Sequence, residues 1–263
     1  MLAYDMAMQA RGTFLLRIED IDKSRARLAW EAQIFDDLAW LGLTWPTPVL
    51  RQSDNMKKYA QALDKMWNMG ILYQCDCTRR DIEDAANAPQ EGTPAFGPDG
   101  LIYPGTCRRR HARSGTRPAN AVLRLDLAAA LALVPCTPSY QETGLNAGQI
   151  QETNPLQQIG DIVLARRNMG TSYHLSVVVD DADQHITQVV RGADLSEATA
   201  IHVILQRLLG HPTPIYHHHR LIRDAAGKRL AKRDDARAIS KYRADGETPG
   251  DIRQRVGLPA SLF

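Results

Sequence analysis

The sequence predicts an α/β fold in which a small module interrupts a larger domain. Segments with helical periodicity alternate with short runs rich in valine and isoleucine, which is the pattern of strands connected by helices. Between residues 75 and 155 this alternation gives way to loop-rich sequence that holds all four cysteines. We therefore expect residues 1–74 and 156–263 to form the larger domain, and residues 75–155 to form the inserted module.

The composition is that of a globular protein without a membrane or secretory signature. With 263 residues the chain can bury a large core, and its net charge of +2 is only mildly basic. No apolar run approaches the ~20 residues that cross a bilayer, and the N-terminus lacks the regions of a signal peptide. The cysteines, two of them in the pair Cys75 and Cys77, do not resemble an extracellular disulfide framework. We expect a cytoplasmic protein, and we favour a monomer although the sequence does not determine the oligomeric state.

Three segments have the apolar spacing of helices, and each is followed by a glycine that can end it. They are residues 24–41, with Leu28, Ala32, Phe35 and Ala39 on one face; residues 54–69, with Tyr59, Leu63 and Met66; and residues 196–209, with Ile201, Leu205 and Leu208. The glycines are Gly42, Gly70 and Gly210.

Runs rich in apolar and β-branched residues predict strands. They are residues 71–74, 121–126, 161–166 (DIVLAR), 172–181 (SYHLSVVVDD) and 186–191 (ITQVVR). Residues 85–100 and 135–155 are rich in turn-forming residues and are predicted loops.

A predicted strand that ends in carboxylates raises the first question of function. Residues 15–22 (LLRIEDID) begin apolar and finish with Glu19, Asp20 and Asp22. One interpretation is a strand that surfaces and turns into a helix capped by Asp22 or Ser24. The other is a ligand site at the carboxyl end of a strand, where open α/β sheets bind their ligands. These residues alone favour the first interpretation.

Three thiols in the module predict a metal site. Cys75 and Cys77 form a Cys-x-Cys pair, and Cys107 follows at the end of IYPGTC. Thiolates hold zinc tetrahedrally, and structural zinc stabilises loop-rich modules that lack a core of their own. The spacing leaves three candidates for a fourth ligand: Cys136, His111 and Tyr103. The alternative without metal is that the thiols are small buried hydrophobic side chains.

Three later stretches, taken with RIEDID, resemble a known family. They are SYHLSVVVDD, VVRGADL and GKRLAKRDD, which begin at residues 172, 189 and 227. In this order they resemble the catalytic domain of class I glutamyl- and glutaminyl-tRNA synthetases. The resemblance implies a Rossmann-like aminoacyl-tRNA synthetase domain with an inserted, zinc-binding, acceptor-like module.

The chain is similar to the short branch of this family. It stops 30 residues after Arg233, too early for the anticodon-binding region of the longer members. The short branch activates glutamate with ATP and transfers it to the queuosine base in the anticodon of tRNA(Asp). The implied partners are therefore L-glutamate, ATP with Mg²⁺, and tRNA(Asp) bearing queuosine.

The resemblance also implies the residues of a glutamate pocket. Glu19 pairs with the substrate's ammonium group, and Tyr173 lies in the same pocket. Arg191 takes the side-chain carboxylate, a planar bidentate interaction that lysine reproduces poorly. Without the resemblance, a half-buried strand aromatic and a strand-end cation are the simpler interpretations of Tyr173 and Arg191. The implied zinc ligands are Cys75, Cys77, Tyr103 and Cys107.

The implied ATP-binding loop is RLAKR, which consists of Arg229, Leu230, Ala231, Lys232 and Arg233. It corresponds to the family's mobile Lys-Met-Ser-Lys-Ser-type loop, with Lys232 as the catalytic lysine that stabilises the triphosphate. Arg229 stands in place of the first lysine, and Ala231 lacks a serine hydroxyl. A solvated basic loop is the alternative.

Two further clusters carry charge or metal-binding groups. Arg108, Arg109, Arg110 and Arg113 suit RNA phosphates, although a solvated run of charge has the same composition. Residues 217–219 (HHH) resemble a metal tract. Because adjacent residues of a strand point to opposite faces, we expect a structural role for them, near the nucleotide site at most.

Two rival functions follow from the same residues. A discrete glutamyl-tRNA synthetase fragment would charge tRNA(Glu) at its 3′ end, whereas a non-catalytic zinc- and RNA-binding paralogue would bind tRNA without activating glutamate. The family's Pro-x-Pro-x-Gly and His-x-Gly signature, which holds the ATP phosphates on the first strand, does not precede RIEDID. We expect it to be encoded in frame before Met1, and a chain that starts at Met1 to fold poorly and form no glutamyl-adenylate.

Overall fold

Helices and short strands alternate along the chain, as the predicted α/β class requires. The computed structural model describes residues 1–86, 96–134, 137–151, 154–223, 227 and 238–260. The helices are α1 (Leu2–Gln9), α2 (Leu28–Trp40), α3 (Met56–Asn68), α4 (Arg79–Ala86), α5 (Leu127–Leu133), α6 (Pro155–Gln158), α7 (Tyr173–Asp183), α8 (Thr199–Leu209), α9 (Ile239–Ala244) and α10 (Pro249–Arg255). The strands are β1 (Arg17–Ile18), β2 (Leu50–Arg51), β3 (Leu72–Cys75), β4 (Phe96–Gly97), β5 (Gly100–Leu101), β6 (Val122–Leu125), β7 (Ser139–Glu142), β8 (Gly148–Gln151), β9 (Val163–Ala165), β10 (Gln188–Gly192) and β11 (Ile215–His219).

The four-stranded sheet gathers three strand ends at one edge. β10 pairs in parallel with β11, and β11 pairs in parallel with β7, which turns back into β8. A separate parallel pair joins β1 to β2. Because parallel strands end at the same edge, the sheet brings Arg191, His218 and Glu142 together there.

The main core is built by α3, α7 and α8 with strands β6 and β9. The residues predicted for the apolar faces of α3 and α8 are buried: Tyr59, Leu63, Met66, Ile201, Leu205 and Leu208. Gly70 and Gly210 have φ values of 72° and 77°, the left-handed conformation that ends a helix. The predicted helices and stops of these two segments are therefore confirmed.

The valine-rich run SYHLSVVVDD supplies the N-cap and most of helix α7, so the strand predicted for residues 172–181 is wrong. Ser172 is the N-cap, and its hydroxyl accepts a hydrogen bond from the Leu175 N–H at 3.4 Å. Residues 174–180 are all buried. A helix packed on nearly all sides carries a continuous apolar run and loses the periodicity that distinguishes it from a strand.

Helix α2 forms inside the predicted segment but does not bury the predicted face. Of its four apolar positions, Leu28, Ala32 and Ala39 are exposed, Leu28 to 82% of its surface. Phe35 is half-buried and stacks on Trp45 with ring centroids 6.0 Å apart. The spacing predicted the helix correctly, although this apolar face stays mostly exposed among the described residues.

A three-stranded sheet joins segments that the sequence assigned to different units. Strands β3, β6 and β9 pair in antiparallel fashion. The hairpin β7–β8 lies in a segment predicted to be loop, and it pairs with β11 of the larger domain. The strand pairings therefore cross the predicted boundaries at residues 75 and 155. Of the predicted loop at 85–100, residues 87–95 lie outside the described residues.

A buried carboxylate on α7 ties this helix to α3 and to the turn before it. Asp180 is completely buried and accepts hydrogen bonds from the Tyr59 hydroxyl at 2.8 and 2.9 Å. The side-chain amides of Asn55 and Gln52 donate to it at 2.7 and 2.8 Å. The Arg17 guanidinium, 3.8 Å away, supplies the opposite charge. A carboxylate this deeply buried is stable only with such a complete set of partners.

Asp180→Asn is expected to lower the free energy of unfolding by about 2–4 kcal/mol, because an amide cannot accept from all of these donors. Asp183→Asn, on the same helix, is the matched control. Asp183 pairs with Lys58 at the surface, so its loss should cost less than about 1 kcal/mol. Urea unfolding measures both values. Equal losses would contradict the role assigned to Asp180.

Candidate active site

The end of β1 is fixed against α7 by an arginine that the sequence analysis did not place in the site. Arg17 donates to Asp181 at 2.7 Å and lies 3.6 Å from Glu19. The Glu19 side chain remains 47% exposed. Partial burial of the carboxyl group raises the pKa of Glu19, and the positive charge of Arg17 opposes that shift. Glu19 is therefore a carboxylate at a strand end, as the ligand-site interpretation of RIEDID requires.

The other two carboxylates of RIEDID make local contacts. Asp22 accepts from the N–H and hydroxyl of Ser24 at 3.1 and 2.6 Å. Helix α2 starts further along the chain with Arg27 as its N-cap, so the predicted capping by Asp22 or Ser24 is wrong. Asp20 accepts from the N–H and hydroxyl of Ser53 at 2.8 and 2.6 Å, which ties the strand end to the turn before α3.

Tyr173 is the first residue of α7 and lies half-buried beside the same cleft. Burial raises the pKa of its hydroxyl, the charge of Arg191 lowers it, and the charge of Glu19 raises it. Both charges therefore act on one hydroxyl group. Tyr173 and Glu19 also line a cavity of about 300 Å³, enough room for an amino acid. The Tyr173 ring also lies 5.8 Å from the ring of His202, to which Arg191 donates, so the three residues predicted for the glutamate pocket come together.

Arg191 lies near the end of β10 and is held by three acceptors that carry no negative charge. Its Nε donates to His218 Nε2 at 3.1 Å, its Nη1 to His202 Nδ1 at 3.0 Å, and its Nη2 to Thr199 Oγ1 at 2.6 Å. Its guanidinium also lies over the ring of Tyr216 at 5.1 Å. Within the described part of the chain, Arg191 forms no ion pair with a carboxylate.

His218, the middle residue of HHH, does more than the structural role expected for it. An arginine can only donate, so His218 accepts at Nε2, carries its proton on Nδ1 and donates to Glu142 at 2.5 Å. Burial lowers the pKa of His218, and Glu142 opposes this shift. Gly144 allows the turn after β7 to lie close to the backbone of β11, since a Cβ at this position would lie 2.2 Å from the His218 carbonyl oxygen. Alternation along β11 predicts that neighbouring histidines point to opposite faces, but it does not predict the contact between His218 and Arg191.

A second chain of hydrogen bonds leads from Arg191 through two imidazoles. Because His202 accepts at Nδ1, its proton lies on Nε2 and is donated to His174 Nδ1 at 3.1 Å. His174 Nε2 lies 3.4 Å from a carboxylate oxygen of Asp99. Burial lowers the pKa of His202 far below its usual range, and the charge of Arg191 lowers it further. The sequence analysis missed this chain; a polar residue inside the apolar run of α8 was the available signal.

The predicted ATP-binding loop lies outside the described residues. This applies to Arg229, Leu230, Ala231, Lys232 and Arg233, whose roles stay predictions. Cys136, a candidate fourth zinc ligand, also lies outside them.

The predicted zinc ligands form one cluster at the end of β3, whose last residue is Cys75. The thiols of Cys75, Cys77 and Cys107 lie within 4.8 Å of one another, and those of Cys77 and Cys107 are 3.4 Å apart. The Tyr103 hydroxyl lies 3.5 and 3.3 Å from the first two sulfurs. A tetrahedral zinc ion would separate such ligands by about 3.5–3.8 Å. The cluster therefore fits the ion closely, whereas His111 contacts an aspartate instead.

The protonation of the thiols also suits a metal. Burial would raise the pKa of Cys107, but hydrogen bonds from the Tyr103 hydroxyl and a backbone N–H outweigh it and lower the pKa to about 7. Burial raises the pKa of Cys77 to about 11. One thiolate is thus accessible near neutral pH, and a bound cation would favour loss of the remaining protons.

Half of the predicted basic cluster serves the fold. Arg108 and Arg113 donate to buried aspartates at 2.8 and 2.7 Å, which join the cysteine module to the core. Arg109 and Arg110 are exposed. An RNA-binding surface at this place would therefore depend on two arginines rather than four.

The fold is that of a class of tRNA synthetases. The family model described as tRNA synthetases class I (E and Q), catalytic domain, matches residues 1–258. Because this match spans nearly the whole sequence, the chain belongs to that family. The resemblance inferred from RIEDID, VVRGADL and RLAKR is confirmed, and so is the class I synthetase fold.

Named relatives support the same branch of the family. The glutamyl-Q tRNA(Asp) synthetase of Rhodobacter capsulatus is 58% identical, with 98% of this chain and 92% of the relative covered. That of Nitratidesulfovibrio vulgaris is 37% identical, with 100% of this chain and 81% of the relative covered.

No helix among the described residues combines the length and apolar character needed to cross a membrane.

A solved structure has the same fold. The glutamate tRNA ligase from Elizabethkingia meningosepticum, crystallised in complex with its amino acid, matches 97% of this chain with a TM-score of 0.72. This chain spans 56% of that longer one, and the two are 22% identical. At this identity the likeness concerns the fold alone.

Proposed function

We propose that the protein activates L-glutamate with ATP and transfers the glutamyl group to the queuosine base in the anticodon of tRNA(Asp). The observation that carries this proposal is the cleft lined by Glu19 and Tyr173, where Tyr173 also contacts His202, an acceptor of the Arg191 guanidinium. The relatives named glutamyl-Q tRNA(Asp) synthetase support the same reaction. ATP, glutamate and tRNA meet in the cytoplasm, where we place the protein, as a monomer.

Glutamate fits this cleft by charge. The Arg191 guanidinium binds the side-chain carboxylate, since its planar N–H groups match two carboxylate oxygens. The Glu19 carboxylate binds the ammonium group, and Arg17 keeps it in place by bridging β1 to α7. The Tyr173 hydroxyl lies near enough to Arg191 and Glu19 for both charges to act on its pKa. With both ends of the substrate held, its α-carboxylate is left free to meet ATP.

Activation needs orientation and charge stabilisation rather than a side-chain nucleophile. An oxygen of the α-carboxylate attacks the α-phosphorus of ATP, the bond to the bridging oxygen breaks, and pyrophosphate leaves. Lys232 stabilises the negative charge on the phosphates, and Mg²⁺ bound to ATP would neutralise part of that charge. The glutamyl group then passes to the queuosine base, and AMP is released.

Arg191→Lys is expected to raise the KM for glutamate by about tenfold to a hundredfold, because a bidentate charge-assisted pair is lost. Glu19→Gln should act in the same direction by removing the partner of the ammonium group. Glutamate-dependent ATP–pyrophosphate exchange, with protein expressed from its complete reading frame, measures both effects. Arg243→Lys is the control, since Arg243 pairs with Asp36 on the surface.

The acceptor is tested with the same protein and labelled glutamate. Transfer to tRNA(Asp) that contains queuosine, and not to the same tRNA without it, is the expected result. Charging of tRNA(Glu) at its 3′ end would identify a discrete glutamyl-tRNA synthetase instead. Tight tRNA binding without any pyrophosphate exchange would identify a non-catalytic paralogue.

The cysteine cluster supports a structural zinc ion. Cys75, Cys77, Cys107 and Tyr103 would hold it, and the distances among their ligand atoms fit a tetrahedral ion. Bound there, zinc would stabilise the start of the module beside β3. None of these four residues lines the cavity beside Glu19 and Tyr173, so zinc takes no part in the proposed chemical steps.

Metal analysis of the purified protein should find one zinc per chain, and Cys77→Ser should lose it, because a hydroxyl is a poor substitute for a thiolate. Stoichiometric zinc in that variant would rule out the assignment. Tyr103→Phe and Cys136→Ser form the matched pair for the fourth ligand. A site that survives Tyr103→Phe but is lost in Cys136→Ser would favour four cysteines.

A further inference from the structure

The surroundings of Arg191 differ from those of other arginines that bridge parts of the fold. Arg17, Arg113 and Arg253 each donate to an aspartate, at 2.7, 2.7 and 2.5 Å. Arg191 is half-buried, yet its three acceptors are two imidazole nitrogens and a hydroxyl oxygen. A guanidinium has five N–H donors, so these three contacts leave two, which face the side of the Tyr173 hydroxyl and are open to a further partner.

The protonation of the two imidazoles follows from their contacts. Because Arg191 donates to His218 Nε2 and to His202 Nδ1, each ring must present a lone pair there. The opposite nitrogens carry the protons, which are donated to Glu142 at 2.5 Å and to His174 at 3.1 Å. Burial lowers the pKa of both rings, which agrees with neutral imidazoles.

We propose that His202, His218 and Thr199 are positioning residues that set the selectivity of the site for an acidic over an amide side chain. They hold the Arg191 guanidinium by three hydrogen bonds and add no negative charge, so its counter-ion is the side-chain carboxylate of the substrate. This inference rests on the proposed binding of glutamate at Arg191. The carboxamide of glutamine is nearly the same shape but leaves the guanidinium without a counter-ion.

The charge of an acceptor can be changed at constant shape. His202→Asn places an amide oxygen near the position of Nδ1 and preserves the hydrogen bond to Arg191. His202→Asp places a carboxylate oxygen at the same point and supplies a resident counter-ion. Both variants lose the same hydrogen bond to His174, so the pair differs only in charge.

Calorimetric titration of the protein from its complete reading frame, without ATP, measures the Kd for L-glutamate and for L-glutamine. His202→Asn should bind glutamate within about threefold of the unchanged protein, whereas His202→Asp should bind it at least tenfold more weakly. Binding of glutamine should differ by less than about threefold between the two variants, so the preference for glutamate falls. Equal glutamate affinities in the pair, whether retained or lost, would overturn the inference.

Thr199→Asn and Thr199→Asp repeat the comparison at a second acceptor. Thr199 is the first residue of α8 and is completely buried, so urea unfolding of both variants is measured alongside to separate a folding defect from an effect of charge. The same tenfold difference between amide and carboxylate is expected, and its absence would count against the role of charge.

A failure of the proposed function gives a different result. If the unchanged protein binds no glutamate, that function is wrong, and imidazole nitrogen NMR still tests the positioning. A proton on Nδ1 of His218 and on Nε2 of His202 supports it, whereas the opposite tautomers would overturn it.

Discussion

The attachment of α7 to β1 and α3 is the constraint on which the rest of the site depends. Asp180 takes hydrogen bonds from the turn before α3 and from Tyr59, while Asp181 takes one from Arg17. These contacts join adjacent acidic residues of one helix to two other elements. They thereby set the distance between Glu19, at the end of β1, and Tyr173, at the start of α7. Without these contacts, Glu19 and Tyr173 would not be held at a fixed distance across the cleft.

The second side of the cleft is fixed by the sheet rather than by a helix. Parallel pairing places Arg191 of β10 beside His218 of β11, and β7 brings Glu142 to the same edge. The His218 imidazole thus lies between Arg191 and Glu142, so the guanidinium and this carboxylate do not pair directly. Helix α8 completes the arrangement through Thr199 and His202. A guanidinium held in this way is rigid, and no carboxylate of the described residues pairs with it directly, which is a suitable preparation for an anionic ligand.

Local signals in the sequence predicted much of this. The spacing in α3 and α8 and the glycines after them identified two core helices, and motif order identified the family. The buried helix α7 was mistaken for a strand, because an element packed on all sides has no amphipathic period. The exposed face of α2 was also missed, since spacing specifies an apolar face but not its partner.

The network around Arg191 could not be predicted from the sequence. Its members come from β7, β10, β11, α7 and α8, and none of the relevant contacts joins residues closer than eight positions apart. Single histidines in apolar runs signalled buried polar groups without indicating their partners. Only the register of β10 against β11 brings them to the arginine.

The most direct measurement is a crystal structure of the protein, expressed from its complete reading frame, with L-glutamate bound. The expected result is a side-chain carboxylate that accepts two N–H groups of Arg191 at about 2.7–2.9 Å, with the ammonium group at Glu19. A ligand bound in the reverse orientation, with its α-carboxylate on Arg191, would contradict the assignment. So would a glutamate bound away from the cleft between β1 and α7.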